Sequence, residues 1–161
     1  MTEYHIYTDG SHLDKFNNGR LGCGGVLVKD GKALDTFGVE LPASFMKEKF
    51  GAEQCSNPSA ELVAVYFALN SFEKYLKGAD SIVIHADYVG VGNWMNGYWQ
   101  TKEPYIKAIK ETNIKEIQRQ KLNGKIKYSW VRGHQTNYKE GSDAYWNNYV
   151  DKLAKGENPN G

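Results

Sequence analysis

Residues 4–12 read YHIYTDGSH, and the fold turns on how this stretch is read. Tyr4, Ile6 and Thr8 alternate with His5, Tyr7 and Asp9, the period of two expected of a strand entering a core. The pattern predicts a strand that stops on the carboxylate of Asp9, with Gly10 and Ser11 directly after it. Asp-Gly is a frequent turn pair, since Gly accepts positive φ and Asp bonds its own backbone, so the dipeptide alone reads as a turn.

Beyond it, residues 19–42 (GRLGCGGVLVKDGKALDTFGVELP) read as a hairpin. Leu27 and Val28 lead into a turn at Asp30-Gly31, and Ala33 to Leu41 returns. Glycines 22, 24 and 25 suit bulges or close backbone approach. They are followed by neither a Lys-Ser/Thr pair nor a helix, which excludes a nucleotide-binding loop. A long connection over 42–57 has room for a helical turn. The stretch SNPSAELVAVYFALNSFEKYLKG (56–78) then reads as a helix capped by Asn57, with Pro58 at its first position and Gly78 at its close. Leu62, Val65, Leu69, Phe72 and Leu76 would form its apolar stripe.

SIVIHADY supplies a strand over 81–87, apolar on both faces as in a central parallel strand, and it too ends on a carboxylate, Asp87. A short helix or turn holding Trp94, Tyr98 and Trp99 follows. Pro104 then opens a helix with the stripe Ile106, Ile109, Ile114 and Ile117. KIKYSWVRGH gives a last strand, 125–131, and a helix from about Ser142 buries Trp146, Tyr149, Val150 and Leu153. This order predicts an α/β chain with a mixed sheet and helices packed on it. A helical connection lets the first and fourth strands lie parallel. As neighbours they would place Asp9 and Asp87 side by side at the carboxyl edge of the sheet, where such sheets bind ligands.

Two further acids stand at chemically suggestive places. Glu61 lies in the first turns of the long helix, where the dipole favours an acid in any case. Asp151 lies in the last helix, four residues after Asn147 and four before Lys155, the spacing of an ordinary exposed pair.

In order along the chain, TDGS (8–11), SAEL (59–62), HADY (85–88), VRGH (131–134) and NNYVDKLAKG (147–156) resemble the motifs of the type 1 ribonuclease H family. The resemblance spans about residues 4–156. It implies a ribonuclease H-like fold, a five-stranded mixed sheet of order 3-2-1-4-5 with helices on both faces, over a catalytic domain of residues 1–156 and a short tail, 157–161. It also implies an enzyme that cleaves the RNA strand of RNA–DNA hybrids to 5′-phosphate and 3′-hydroxyl ends. Asp9, Glu61, Asp87 and Asp151 would hold two Mg²⁺ ions, with Mn²⁺ as a substitute, and His134 would relay a proton or help product leave. Backbone around Gly10 and Ser11, with Glu61 and Asn57, would read the 2′-hydroxyls, Ser56 and Gln54 would meet the DNA backbone, and Trp94 and Trp99 would support the DNA strand. In this reading Gly10 is bare so that the nucleic acid can touch backbone. Rival implications of the same fold are a two-metal nuclease or integrase acting on DNA, and a binding module without catalysis.

The chain departs from that pattern in places. Tyr88 follows the third acid where Ser is usual. WQTKEP (99–104) is too short for a basic handle, and the loop QTNYKEGSDAYW (135–146) is long and rich in Tyr. Asp143, within that insert, competes with Asp151 as fourth acid.

Composition agrees with one globular domain: 161 residues, 40% hydrophobic and 24% charged. The net charge of +1 hides a basic segment, since residues 100–132 carry nine Lys/Arg against three Asp/Glu. Such a run is a solvated helix face or a surface that meets phosphate. Cys23 and Cys55 form no metal-type pair; a disulfide between them is one reading, and two reduced core or loop residues the preferred one. With neither a secretory signal nor an apolar run long enough for a bilayer, a cytoplasmic chain without a membrane partner is expected; a monomer is the expected state.

Overall fold

The computed structural model describes residues 1–12, 20–42, 44–51, 56–133 and 135–160. His134, Gln54 and Cys55 lie outside the described residues. The chain runs β1 (Glu3–His12), β2 (Leu21–Lys29), β3 (Lys32–Leu41), α1 (Ser44–Phe50), α2 (Asn57–Ser71), α3 (Glu73–Leu76), β4 (Ser81–Ala86), α4 (Val89–Met95), α5 (Pro104–Arg119), β5 (Ile126–Trp130) and α6 (Asp143–Ala154). The five strands form one sheet of order β3-β2-β1-β4-β5. β2 is antiparallel to β1 and β3, whereas β1, β4 and β5 are parallel. The sheet order and mixed character agree with the expectation.

β1 does not stop at Asp9. Its pairing with β4 ends at Tyr7↔His85, but its pairing with β2 continues through Asp9↔Gly24 and Gly10↔Cys23 to His12↔Leu21. Asp-Gly is therefore strand and not turn: β2 goes on supplying hydrogen bonds after β4 has run out. Asp9 sits on a stretch of β1 open on its β4 side. Counting two residues on from Tyr7 and from His85 gives Asp9 and Asp87, so the parallel register itself sets the two carboxylates abreast.

The hairpin turn falls at Asp30-Gly31, both with positive φ (52° and 77°), the conformation a two-residue hairpin loop requires. The bulge lies at Leu27/Val28 and not at the glycines. Gly24 instead permits contact with α6, since a Cβ there would fall 2.6 Å from the Val150 carbonyl oxygen and 2.8 Å from the Ala154 nitrogen.

Helices cover both faces. α6 packs on β1, β2 and β3, and its small core joins Tyr7, Val26, Val28, Val131, Trp146 and Val150. The larger core lies on the other face, under α2. α2 is buried well beyond one stripe: Leu62, Val63, Ala64 and Val65 are all inaccessible, because α5 packs against the side that the sheet leaves open. Its cap is Ser56 and not Asn57. The Ser56 hydroxyl accepts from the Ser59 amide, and the Ser59 hydroxyl accepts from the Ser56 amide, a reciprocal box that satisfies two orphan donors. The expected long helix breaks at Phe72 into α2 and α3. In α5 the buried stripe runs Ile106, Ile109, Asn113, with Ile114 only partly covered. Asn113 donates to the Leu62 carbonyl across the helix pair (3.1 Å), which explains an amide in that position.

Part of the basic segment is used internally. The Arg119 guanidinium bonds Glu116 and Glu73, and Lys125 donates to the Ala79 carbonyl (3.1 Å). Among the described residues no helix is long and apolar enough to cross a membrane.

Candidate active site

At the end of the sheet where β1 outruns β4, a cavity of about 480 Å³ opens between α2, α6 and the segments after β4 and β5. Asp9, Glu61, Asp87 and Asp151 all line it, with Gly10, Ser11 and Asn57 on one side and Tyr88 and Gly133 on the other. Carboxylate oxygens of Asp9, Glu61 and Asp87 lie within 4.8 Å of one another, although each residue comes from a different element. Asp151 lines the same cavity from α6 but is not one of the three whose oxygens meet.

Each acid is held by its own scaffold. Asp9 and Glu61 are both only 4% exposed. Glu61 accepts the Gly10 amide on Oε1 (3.1 Å), while its Oε2 is buried with no hydrogen-bond partner among the described residues. Asp87 is fixed through its backbone, whose carbonyl accepts the Trp130 indole N–H (3.0 Å). Gly133 lies against its side chain, where a Cβ would come 3.2 Å from Oδ2. Asp151 accepts the Lys155 ammonium (3.1 Å).

Burial is the largest influence on Asp9. It raises the Asp9 carboxyl far above the usual range, and the charges of Glu61 and Asp87 add to it. Burial likewise pushes Glu61 up to about 8, reinforced by Asp87 and Asp151 and opposed by hydrogen bonds from Asp9 and the Gly10 amide. Four acids converging on one cavity, with one buried oxygen left unpaired, leave a deficit of positive charge. Carboxylate oxygens are the donors that hard divalent cations prefer, so the residues present fit such ions.

A pH dependence follows. In the cation-free chain the folded pKa of Glu61, about 8, lies above its ordinary value of 4.5. The folded state therefore holds the proton more tightly, and its stabilising effect is lost as pH rises toward 8. Burial lowers His85 to about 4, so its effect has the opposite sign and is confined below its ordinary 6.5. Between about 6.5 and 8 the slope should belong to the acids. Melting temperatures in EDTA are expected to fall across that window, and Mg²⁺ should flatten the fall. A melting temperature independent of pH there, or equally sloped with Mg²⁺, would contradict the charge deficit.

Other sequence expectations fare unevenly. Gly10 lines the cavity, but the reason for a glycine is different: its Cβ would strike the Ala60 carbonyl of α2, not an incoming strand. Asn57 is placed beside Ser11, its side-chain oxygen accepting the His12 amide (2.8 Å). The Ser56 hydroxyl is committed to the α2 cap, and Ser56 does not line the cavity. Trp94 is buried and Trp99 is 39% exposed; their rings pack edge to face 5.7 Å apart, with Tyr88 against both, and neither lines the cavity. Asp143 stands apart from the cavity at the start of α6, where it accepts the Tyr7 hydroxyl. Asn147 proves buried and not solvated. Lys155 and Trp130 were not singled out from the sequence. The spacing of Asp151 and Lys155 is that of an ordinary helix pair, and nothing local marks Trp130 in its strand.

A mixed five-stranded sheet with an acid cluster beside its parallel strands defines an α/β domain whose sheet edge could hold a divalent cation. The family model described as RNase H matches residues 1–158, and the chain belongs to that family. None of the curated proteins compared matches it significantly. Among solved structures, the N-terminal RNase H domain of Rv2228c from Mycobacterium tuberculosis is 21% identical, with 97% of this chain and 98% of that one covered and a TM-score of 0.68. LC11-RNase H1 in complex with an RNA/DNA hybrid is 18% identical (96% and 95% covered, TM-score 0.68). RNase H1 from the halophilic archaeon Halobacterium salinarum is 22% identical (81% and 86% covered, TM-score 0.60). These likenesses concern the fold.

Proposed function

We propose that the chain is a divalent-cation-dependent endoribonuclease, which cleaves the RNA strand of RNA–DNA hybrids to 5′-phosphate and 3′-hydroxyl ends, and that residues 1–156 are its catalytic unit. The observation that carries this reading is the convergence of Asp9, Glu61 and Asp87 within 4.8 Å at one cavity, in a chain of the RNase H family. The hybrid bound to LC11-RNase H1 supports the choice of substrate.

Asp9, central to the cluster, would hold both cations. Asp87 would stand on the side of the attacking water, and Glu61 and Asp151 would complete the two sets of ligands, with Mg²⁺ or Mn²⁺ suited to all-oxygen donors. Two bound cations would supply the positive charge that eases deprotonation of water and stabilises the departing 3′-oxygen. The chain's own groups do the rest. The buried scaffold of β1 and α2 holds the carboxylates against their mutual repulsion. Ser11 and the amide NH₂ of Asn57, whose carbonyl is occupied by His12, would meet 2′-hydroxyls on the RNA side. The Lys155 ammonium bonds Asp151 and lines the cavity, where it would meet a phosphate. His134 would serve proton transfer or product release beside Gly133.

An end-labelled assay with an RNA–DNA hybrid, an RNA duplex and a DNA duplex tests the reading. Cleavage of the hybrid alone, dependent on Mg²⁺ and abolished by EDTA, is expected. Cleavage that survives EDTA, or a DNA duplex cut as fast as the hybrid, would overturn it.

A further inference from the structure

Asp151 differs from the other three acids in how it is positioned. Asp9, Glu61 and Asp87 form a cluster on β1, α2 and the end of β4, whereas Asp151 reaches the cavity only as far as α6 carries it. The placement of that helix therefore decides the completeness of the site.

α6 is held along its length by the small core that contains Trp146 and Val150, and two further contacts lie toward its ends. Toward its C-terminus it lies on the bare backbone of the hairpin. A Cβ on Gly24 would fall 2.6 Å from the Val150 carbonyl oxygen, and one on Gly38 would fall 3.1 Å from that of Leu153. This contact is close backbone packing, and it fixes how near the helix lies to the sheet. At the N-terminus, the Tyr7 hydroxyl donates to the carboxylate of Asp143, in the first turn of α6. Tyr7 is itself held in place: it is buried, and its ring stacks on His85 at 4.3 Å with 9° between planes. His85 in turn shares a hydrogen bond with His5 (2.8 Å). Tyr7 and Asp9 lie on the same face of β1, two residues apart. One strand thus carries the central acid of the cluster and grips the helix that carries the fourth.

We infer that Tyr7 and Asp143 are positioning residues: their hydrogen bond sets α6 against β1 so that Asp151 completes the cation site begun by Asp9. The inference rests on the cation-dependent reading above and deepens it. It also gives Asp143 a role other than ligand.

The test is cation binding by the whole chain without nucleic acid, followed by calorimetry with Mn²⁺ and Mg²⁺ at a temperature where every variant is folded. Tyr7→Phe keeps the ring stack and removes the donor. It is expected to weaken binding about three- to tenfold, the worth of one hydrogen bond, and to raise the Mg²⁺ concentration for half-maximal cleavage by the same factor. Asp143→Ala should match it, and the double variant should be no worse than either single one, because the two groups act as a unit. Asp143→Asn keeps an oxygen acceptor and should restore most of the affinity. Should Tyr7→Phe or Asp143→Ala lower the melting temperature but bind cations as the unaltered chain does, the bond is structural only and the inference falls. Additive losses in the double variant would overturn it as well. An unaltered chain that binds no divalent cation would instead remove the cation-dependent reading, and this inference with it.

Discussion

Replacing Asp9 with Asn is expected to stop cleavage and leave the fold intact. Asn matches Asp in shape, so the buried site on β1 loses no volume. What it loses is an anionic oxygen at the centre of the cluster, within 4.8 Å of Glu61 and Asp87 oxygens. Turnover on a hybrid should drop on the order of a thousandfold or more, about 4 kcal/mol or more of transition-state stabilisation. Stability should move the other way. The folded chain holds the Asp9 carboxyl well above the ordinary range because burial and neighbouring acids disfavour its charge. Removing that charge relieves the repulsion, so the melting temperature in EDTA should equal or exceed that of the unaltered chain. Rate and melting temperature measured on one preparation separate the outcomes. An Asn variant that cuts within tenfold of normal would remove Asp9 from the catalytic centre. One that unfolds would make the carboxylate a structural group.

Gly10→Ala is expected to damage both stability and activity. A Cβ there would sit 2.1 Å from the Ala60 oxygen, 2.2 Å from the Ala60 carbon and 2.6 Å from the Glu61 nitrogen, all of them backbone atoms of α2. Backbone in a helix cannot swing aside, and α5 on the far side of α2 blocks retreat. The cost should reach about 3 kcal/mol, the upper range of ordinary overpacking. Any separation of β1 from α2 also breaks the bond from the Gly10 amide to Glu61 (3.1 Å), so cleavage should fall with stability. Denaturant unfolding and substrate titration together check this. A variant of normal stability that merely binds hybrid more weakly would show that glycine serves contact with nucleic acid, as the sequence suggests, and not the packing of α2.

Much of the architecture was legible in local pattern. The alternation at 4–9, the Asp30-Gly31 turn, the doubly apolar run of β4 and the three-and-four spacing in the helices are set by neighbours within a few residues. The acids could be picked out because short motifs surround them. The places where expectation and structure part are those where a distant element intervenes. β1 runs past Asp9 because β2 continues to pair with it. α2 is buried beyond one stripe because α5 covers it, and the same contact draws Asn113, not Ile114, into the interior. Asn57 gave up the helix cap to Ser56 and bonded the His12 amide instead.

The sequence by itself determined most of the strand and helix pattern and the Asp30-Gly31 turn, since side-chain periodicity and turn chemistry act within one element, while the candidate acids, Asp143 among them, came from the motifs it resembles. Only the tertiary structure decided that three of those acids meet within 4.8 Å, that Asp151 and not Asp143 lines their cavity, and that Gly10 is bare for the sake of a helix. These are distances between elements remote in the chain. They are fixed by strand register and by how closely backbones can approach, and no local pattern encodes either.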